Sequence, residues 1–284
     1  MNYIYIYSGD LPKYAVTSIN NVLSVDPDAN IVLCTDKNYS FPKINNITFD
    51  QVESKLTEKV RDINYFGNNE NPLWSTSLLR IFYLLDLAKF FNFDNFIHFD
   101  VDVMIYKPFK DLESFFDNSK FNITALNELD LIFSYSYTKN IECYELICEK
   151  IYKILENPFY YEEKYYDSKK LNEMMLLNIV YIENNNLFNL LPTIPDNKSK
   201  LRIIFDSITY GQYLSGVHNK LFSKNIIEES SYVGRFLIKN DVKIKFKQTP
   251  YIIFEDNKFE LANLHVHSKK LNKFTSKGFE CFIN

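Results

Sequence analysis

Glycine is scarce in this chain, with six in 284 residues. No Gly-x-Gly-x-x-Gly follows the first strand-like segment, which excludes the glycine-cradled dinucleotide site of a dehydrogenase. The four cysteines, Cys34, Cys143, Cys148 and Cys281, show no Cys-x-x-Cys spacing. They are expected as reduced thiols of a cytosolic protein, not as a disulfide framework or a zinc cluster. No run approaches about 18 apolar residues and the chain starts directly on a strand-like segment, so neither a spanning helix nor a cleaved signal is expected. A net charge of −4, a pI near 5.7 and the lack of a basic stripe before the C-terminus exclude a general nucleic-acid binder, which needs a basic face for phosphates.

What is abundant is apolar and aromatic: 46% of residues are hydrophobic, with 21 Tyr and 25 Phe. Plentiful Asn, Lys, Ile, Phe and Tyr together also match AT-rich coding, so aromatic content alone says little about sugar binding. A chain of this length buries a substantial core and is expected as one large domain or one with a smaller appendage.

Residues 3–7 (Tyr-Ile-Tyr-Ile-Tyr), a loop at Ser8-Gly9-Asp10, a helix over 12–25 and an apolar strand over 30–35 ending at Asp36 make a βαβ unit. Such units bind ligands at the carboxyl ends of their strands, where Tyr7, Ser8 and Asp36 stand. Residues 50–70 read as helix or loop. Asn71 as N-cap and Pro72 at the first position open a long apolar helix through 91. Thr76, Arg80 and Tyr83 form its one polar stripe. A buried Arg80 needs an anionic partner: Asp86 or Asp94 for a structural role, a phosphate or the acids that follow for a functional one.

Those acids lie in residues 95–109, Asn-Phe-Ile-His-Phe-Asp-Val-Asp-Val-Met-Ile-Tyr-Lys-Pro-Phe. If 96–104 is extended, Phe96, His98, Asp100 and Asp102 share a face, and the two aspartates lie roughly 6.6 Å apart along the backbone. That spacing lets both lean on one divalent cation, without which two carboxylates in an apolar strand are costly. The alternative is a solvated or salt-bridged strand end. Asp26-Pro27-Asp28 spells the same Asp-x-Asp, but its proline and polar neighbours indicate a turn.

Farther on, helices are expected over 141–156 and 169–182, the second carrying Glu173, with a Tyr-rich surface loop between them. A strand over 201–205 ends at Asp206. Gly211 and Gly216, two of the six glycines, predict close backbone approach or special dihedrals. Strands over 242–247, 251–255 and 259–266, with a turn at 256–257, form an antiparallel hairpin placing His265 and His267 on one face ahead of Ser268, Lys269 and Lys270. Two aspartates, one imidazole and waters make an octahedral Mn²⁺ site; zinc on His265, His267 and a carboxylate is the other metal reading. In the tail, Lys269, Lys270, Lys273 and Lys277 alternate with Leu271, Phe274, Phe279 and Phe282, either as a solvated helix or as a peripheral contact with an anionic membrane.

The order of these elements, the Leu-Leu-Arg-Ile-Phe-Tyr-Leu-Leu helix, the Phe-Ile-His-Phe-Asp-Val-Asp-Val-Met-Ile-Tyr-Lys-Pro-Phe segment and the late Leu-His-Val-His-Ser-Lys resemble the nucleotide-sugar glycosyltransferases of the GT-A fold. In pattern they are nearest to bacterial surface-glycan enzymes akin to glycosyltransferase family eight. The resemblance runs from Tyr3 to about Lys270 and implies an α/β fold: a Rossmann-like mixed sheet with flanking helices and a C-terminal β-hairpin completing the site. It implies a single catalytic domain, 1–284, with a nucleotide-binding half (1–126), an acceptor half (127–270) and a tail (271–284). It implies that Asp100 and Asp102 hold Mn²⁺ or Mg²⁺, with His267 or alternatively His265 as a further ligand, and that Lys269 meets a phosphate. Tyr7, Ser8 and Asp36 would hold the nucleoside, and Arg80 and Gln212 would lie near the donor. The family's Asp-Gln-Asp-x-Leu-Asn segment is echoed by residues 172–178 or replaced by 205–212, so the catalytic acid falls to Asp206, favoured for ending a strand, or to Glu173; Glu128 and Asp130 are further acids. The family's His-x-x-Gly-x-x-Lys-Pro-Trp ending is absent.

The activity implied is transfer from a nucleotide-diphosphate sugar, a UDP-sugar favoured, to a glycan or lipid-linked acceptor. Its setting would be bacterial surface polysaccharide synthesis, in the cytoplasm or at the inner face of the membrane. Alternatives are a sugar-phosphate nucleotidyltransferase, for which residues 8–13 make a poor glycine-rich loop, and a catalytically inactive glycan-binding module.

Overall fold

A computed structural model describes residues 1–67, 72–197, 201–216 and 227–283. Strand β1 (Asn2–Tyr7), helix α1 (Lys13–Val25) and strand β2 (Asn30–Thr35) form the expected βαβ unit, with β1 and β2 parallel from Asn2 opposite Asn30 to Tyr7 opposite Thr35. Both faces of β1 are covered, which is why its residues from Tyr3 to Tyr7 are apolar or aromatic. Its buried tyrosines still need partners: the Tyr3 hydroxyl donates to Asp26, and that of Tyr5 shares a hydrogen bond with Ser18.

β3 (Ile44–Thr48) adds a parallel edge, followed by α2 (Phe49–Val52) and α3 (Lys55–Ile63). α4 (Pro72–Phe90) is the long apolar helix; its expected cap, Asn71, lies outside the described residues. Strands β4 (Phe96–His98), β5 (Val103–Ile105), β6 (Phe121–Ala125) and β7 (Leu131–Thr138) precede helices α5 (Ile141–Glu156), α6 (Pro158–Tyr166) and α7 (Glu173–Glu183), then strand β8 (Phe188–Leu190). The Tyr-rich segment expected as a loop is α6. Pro158 starts it, and Glu162 and Tyr166, one turn apart, are its buried side.

The main sheet has the order β3-β2-β1-β4-β7-β6-β8. It is mixed: β7 runs antiparallel to β4 and β6, and β8 is parallel to β6. Residues of α4, α5 and α7 such as Leu84, Ile147 and Ile179 pack with Ile4, Val32 and Phe96 on one side. Ile19 and Val22 of α1 pack with Tyr3, Tyr5 and Leu33 on the other. This mixed α/β arrangement, a large sheet flanked by helices, is the architecture that the GT-A resemblance implies.

The last third comprises β9 (Ile203–Ile204), α8 (Thr209–Ser215), α9 (Tyr232–Asn240), β10 (Ile244–Phe246), β11 (Pro250–Phe254), β12 (Asn257–Leu261) and β13 (Asn263–His265). The β11–β12 hairpin turns at Glu255 and Asp256, both at positive φ, one residue before the expected position. A two-residue loop with both central residues left-handed matches the twist of the strands it joins. After β12 the chain leaves its sheet, and β13 pairs antiparallel with β5, setting His265 opposite Val103. α1 holds the other side of β5: Asn21 exchanges two hydrogen bonds with the Ile105 backbone, and Ser18 donates to the Val103 carbonyl.

The tail is a strap over α1, not a free basic helix. Leu271, Phe274 and Ile283 are buried, and Asn20 hydrogen-bonds both backbone groups of Ile283. Of the four apolar side chains that the sequence offered to a membrane, Leu271 and Phe274 are buried in the core, and Phe279 and Phe282 are half-buried. Among the described residues no helix is long and apolar enough to cross a membrane.

Candidate metal and donor site

Asp100 and Asp102 do not lie on an extended strand. β4 ends at His98, and the Val103 amide donates to the Asp100 carbonyl at 3.0 Å, so the two acids sit in a turn between the main sheet and β5. Four alternating residues are too few to tell a strand from a turn, and here the chain must change sheets. The turn is pinned at both ends: the Asp100 amide donates to the Phe133 carbonyl, and the Asp102 carbonyl accepts from the Val266 amide.

That last bond brings His265 to the acids. One ligand atom from each of Asp100, Asp102 and His265 lies within 4.8 Å of the others. His265 Nε2 is 3.2 Å from Asp102 and 3.8 Å from Asp100. Lys269, at a left-handed φ of 63°, pairs its Nζ with Asp102 and lies 5.5 Å from the ring centroid of Tyr14. Burial alone would raise the Asp102 carboxyl, but His265 and Lys269 outweigh it and hold the group below the usual carboxylate range. Burial alone would lower the His265 imidazole, and Asp102 reverses that, raising it.

Two carboxylates and one imidazole on converging vectors suit Mn²⁺ or Mg²⁺, ions that favour oxygen ligands. A zinc site on both histidines fits less well. His267 lies past the end of β13, where its amide turns back onto the His265 carbonyl, so the strand alternation that would align the two rings is broken. Its ring centroid is 6.2 Å from that of His265 and its Nδ1 pairs with Gln212 at 3.3 Å. The geometry thus gathers His265, the alternative ligand, and sets His267 behind it.

Arg80 finds two anionic partners, pairing with Asp100 and, at 2.8 Å, with Glu173, while its guanidinium lies 5.1 Å from the Phe133 ring centroid. Asp86 instead accepts from Ser54 and Thr57. Glu173 is not mid-helix as the pattern suggested. Asn172 caps α7 by accepting from the Met175 amide, which makes Glu173 the first helical residue. Burial raises its carboxyl, against the pull of Arg80.

Asp206, the acid favoured from sequence, is fully buried and its carboxylate is filled. Oδ1 accepts from the amides of Ile208 and Tyr210, and Oδ2 from those of Gly211 and His265, all at 2.9–3.1 Å. Burial pushes it up to about 6, although the His265, Gly211 and Ile208 amides pull it down. A carboxylate offers about four lone-pair positions, so none remains for an acceptor hydroxyl. An acid placed just after a strand also meets the backbone donors of the helix that follows, here the amides of Tyr210 and Gly211 in α8. Glu128 pairs with Arg235, and burial raises Asp130.

At the ends of β1 and β2, Asp36 accepts from the Gly9 amide at 2.8 Å and from the Ser8 hydroxyl at 3.5 Å, closing the loop beside Tyr7. Sequence reasoning missed Tyr14. Its hydroxyl is pushed up by burial and then by Tyr7 and Asp102 beside it. The signal was there: a helix that follows the first-strand loop must place its first turn at the same edge of the sheet.

The chain is similar to mouse xyloside xylosyltransferase 1 (TM-score 0.46, 10% identity, over 68% of this chain and 86% of that one). It is similar also to galactosyltransferase LgtC solved with donor and acceptor sugar analogs (0.43, 10%, 81% and 85%) and to the PaToxG glycosyltransferase (0.42, 13%, 65% and 69%). No family model matches the sequence, and neither does any curated protein. At identities and TM-scores of this size, the activity has to be read from the site's own residues.

Proposed function

We propose that this chain is a divalent-cation-dependent glycosyltransferase that moves a sugar from a nucleotide-diphosphate sugar, a UDP-sugar favoured, to a glycan or lipid-linked acceptor. The observation that carries this is the meeting of Asp100 and Asp102, from the turn after β4, with His265, from the distant strand β13, on one point beside Lys269. Mn²⁺ or Mg²⁺ held there supplies charge neutralisation for a leaving diphosphate. Lys269 offers three rotatable donors on a flexible stem, suited to exchanging Asp102 for a phosphate oxygen. Arg80 fixes Asp100 from behind, as outer partners of ligating carboxylates do. Tyr7, Tyr14, Ser8 and Asp36 form the donor side. Of the two acids, Glu173 is met mainly by side chains, Arg80 and Ser77, and Asp206 by four backbone amides, so Glu173 is the carboxylate assigned to the sugar side. Surface polysaccharide synthesis in a bacterial cytoplasm belongs to the same reading through the sequence resemblance.

The test is a thermal-shift screen of UDP-, GDP- and CMP-sugars with and without Mn²⁺, followed by assay of nucleoside diphosphate release. A ligand at a hundred times its Kd adds about 2.7 kcal/mol of apparent stability, well within detection. Mn²⁺-dependent stabilisation by one sugar nucleotide and release of its nucleoside diphosphate are expected. Pyrophosphate release from a nucleoside triphosphate and a sugar phosphate would replace this reading with a nucleotidyltransferase. Neither shift nor release with any donor would leave a glycan-binding module.

A further inference from the structure

His265 lacks the support that a ligating histidine normally has. Such a ring is usually oriented by donating its second N–H to a carboxylate or carbonyl, yet His265 Nδ1 is buried with no hydrogen-bond partner among the described residues. The ring's direction must therefore come from the backbone that carries it, and that backbone is held from two sides. Asp206 Oδ2 accepts from the His265 amide and the Gly211 amide, both at 2.9 Å. Two residues before His265, the Asn263 side chain returns the contact: its Oδ1 accepts from the Asp206 amide at 3.0 Å, and its Nδ2 donates to the Asp206 carbonyl and to the Ser134 carbonyl, both at 3.1 Å. On the far side, α8 lies directly against the same residue. A Cβ on Gly211 would stand 1.8 Å from the His265 carbonyl oxygen.

We infer that Asp206, Gly211 and Asn263 form a latch that positions the His265 ring for cation binding, with Asp206 as a positioning residue and not a base. The inference rests on the cation-site reading above. The residue types follow from the geometry. Four amide donors converge on one side chain, which only an acceptor-only carboxylate can satisfy; an amide in its place would turn an NH₂ toward two of them. Asn263 faces both an N–H and carbonyl groups, which calls for a side chain that donates and accepts. Gly211 is required by the close approach itself. The latch also joins β13 to α8, whose Gln212 reaches His267, so both late histidines are set from one node.

Asp206→Asn and Gly211→Ala test this, with Asn20→Ala as a control that releases the Ile283 end of the C-terminal strap and touches none of Asp206, Gly211 and Asn263. Three quantities are read on each: Mn²⁺ affinity by titration with electron paramagnetic resonance, melting temperature, and the His265 ring signals by NMR in metal-free protein. Asp206→Asn and Gly211→Ala are expected to weaken Mn²⁺ binding by about 10- to 100-fold, the range for outer partners of metal ligands, and to move the His265 ring signals. Asn20→Ala is expected to lower the melting temperature with Mn²⁺ affinity unchanged, which separates general loosening from loss of position. Folded Asp206→Asn with wild-type Mn²⁺ affinity and unmoved ring signals overturns the latch. Should Asp206→Asn not fold, Gly211→Ala decides on the same readouts. A wild-type chain that takes up no Mn²⁺ overturns the cation-site reading instead, and the ring signals of the variants then decide the latch alone.

Discussion

Asp102 and Asp206 touch His265 from opposite sides, and the contrast between them separates function from framework. Asp102 meets the imidazole and the Lys269 ammonium, both side-chain groups, and is held below the usual carboxylate range. Asp206 meets four backbone amides, and burial pushes it up to about 6. Charged side chains can be exchanged for a cation and a phosphate without unfolding anything. Backbone donors at a helix start cannot. An acid surrounded by side-chain cations is therefore poised for ligand exchange, whereas an acid surrounded by amides is committed to the fold.

Alanine at each position should split the two roles. Asp102→Ala is expected to cut Mn²⁺-dependent turnover by at least about a thousandfold, since a Lewis-acid contribution of several kcal/mol is lost. Its stability should fall less than that of the Asp206 variant, because Lys269 is partly exposed and can turn to water and only the His265 imidazole loses a buried partner. Asp206→Ala strands four amides at about 1–3 kcal/mol each and should lose at least about 4 kcal/mol in urea unfolding. Equal stability losses in the two variants would break the distinction.

A smaller effect sharpens it at the histidines. His265→Ala should weaken Mn²⁺ binding by on the order of a hundredfold and His267→Ala by less than about tenfold, because His265 belongs to the three-residue group and His267 stands behind it. Isothermal titration with Mn²⁺ decides between them, and the reverse ranking would restore His267 as the ligand.

How much of this could be read beforehand depended on whether the cause was local. The βαβ start was legible because 3–7 and 30–35 are continuous apolar strands between turn residues. The acid pair was legible because carboxylates amid Phe, Ile and Val are costly without a partner. Gly211 announced close approach, and it lies against the His265 carbonyl. Other features have partners that no spacing encodes. Arg80 draws on Asp100 and Glu173, 20 and 93 residues away. Asp206 binds main-chain atoms, to which residue pattern is blind. α6 hid because four tyrosines and a phenylalanine in nine residues show no helical period. The resemblance put His267 ahead of His265, and strand alternation, extended past the point where the strand stops, put both on one face.

The smallest expected effect concerns a residue on the framework side of the comparison. His98 is buried beneath the acid turn, and its Nδ1 pairs with the Ile4 carbonyl. Burial, then the nearby Arg80 charge, lowers its imidazole to about 3. In the unfolded chain it titrates near 6.5. Between those values the unfolded state binds the proton and the folded state does not, so stability falls as pH drops below about 6.5. From pH 7 to pH 5 the loss from this group is about 2 kcal/mol. His265 acts with the opposite sign, since its raised value favours the folded chain in acid until pH rises through it. The difference between wild type and His98→Gln isolates the first effect. Urea midpoints for the two proteins should converge toward pH 5, and a gap that stays constant from pH 7 to pH 5 would mean that His98 carries its proton in the folded chain.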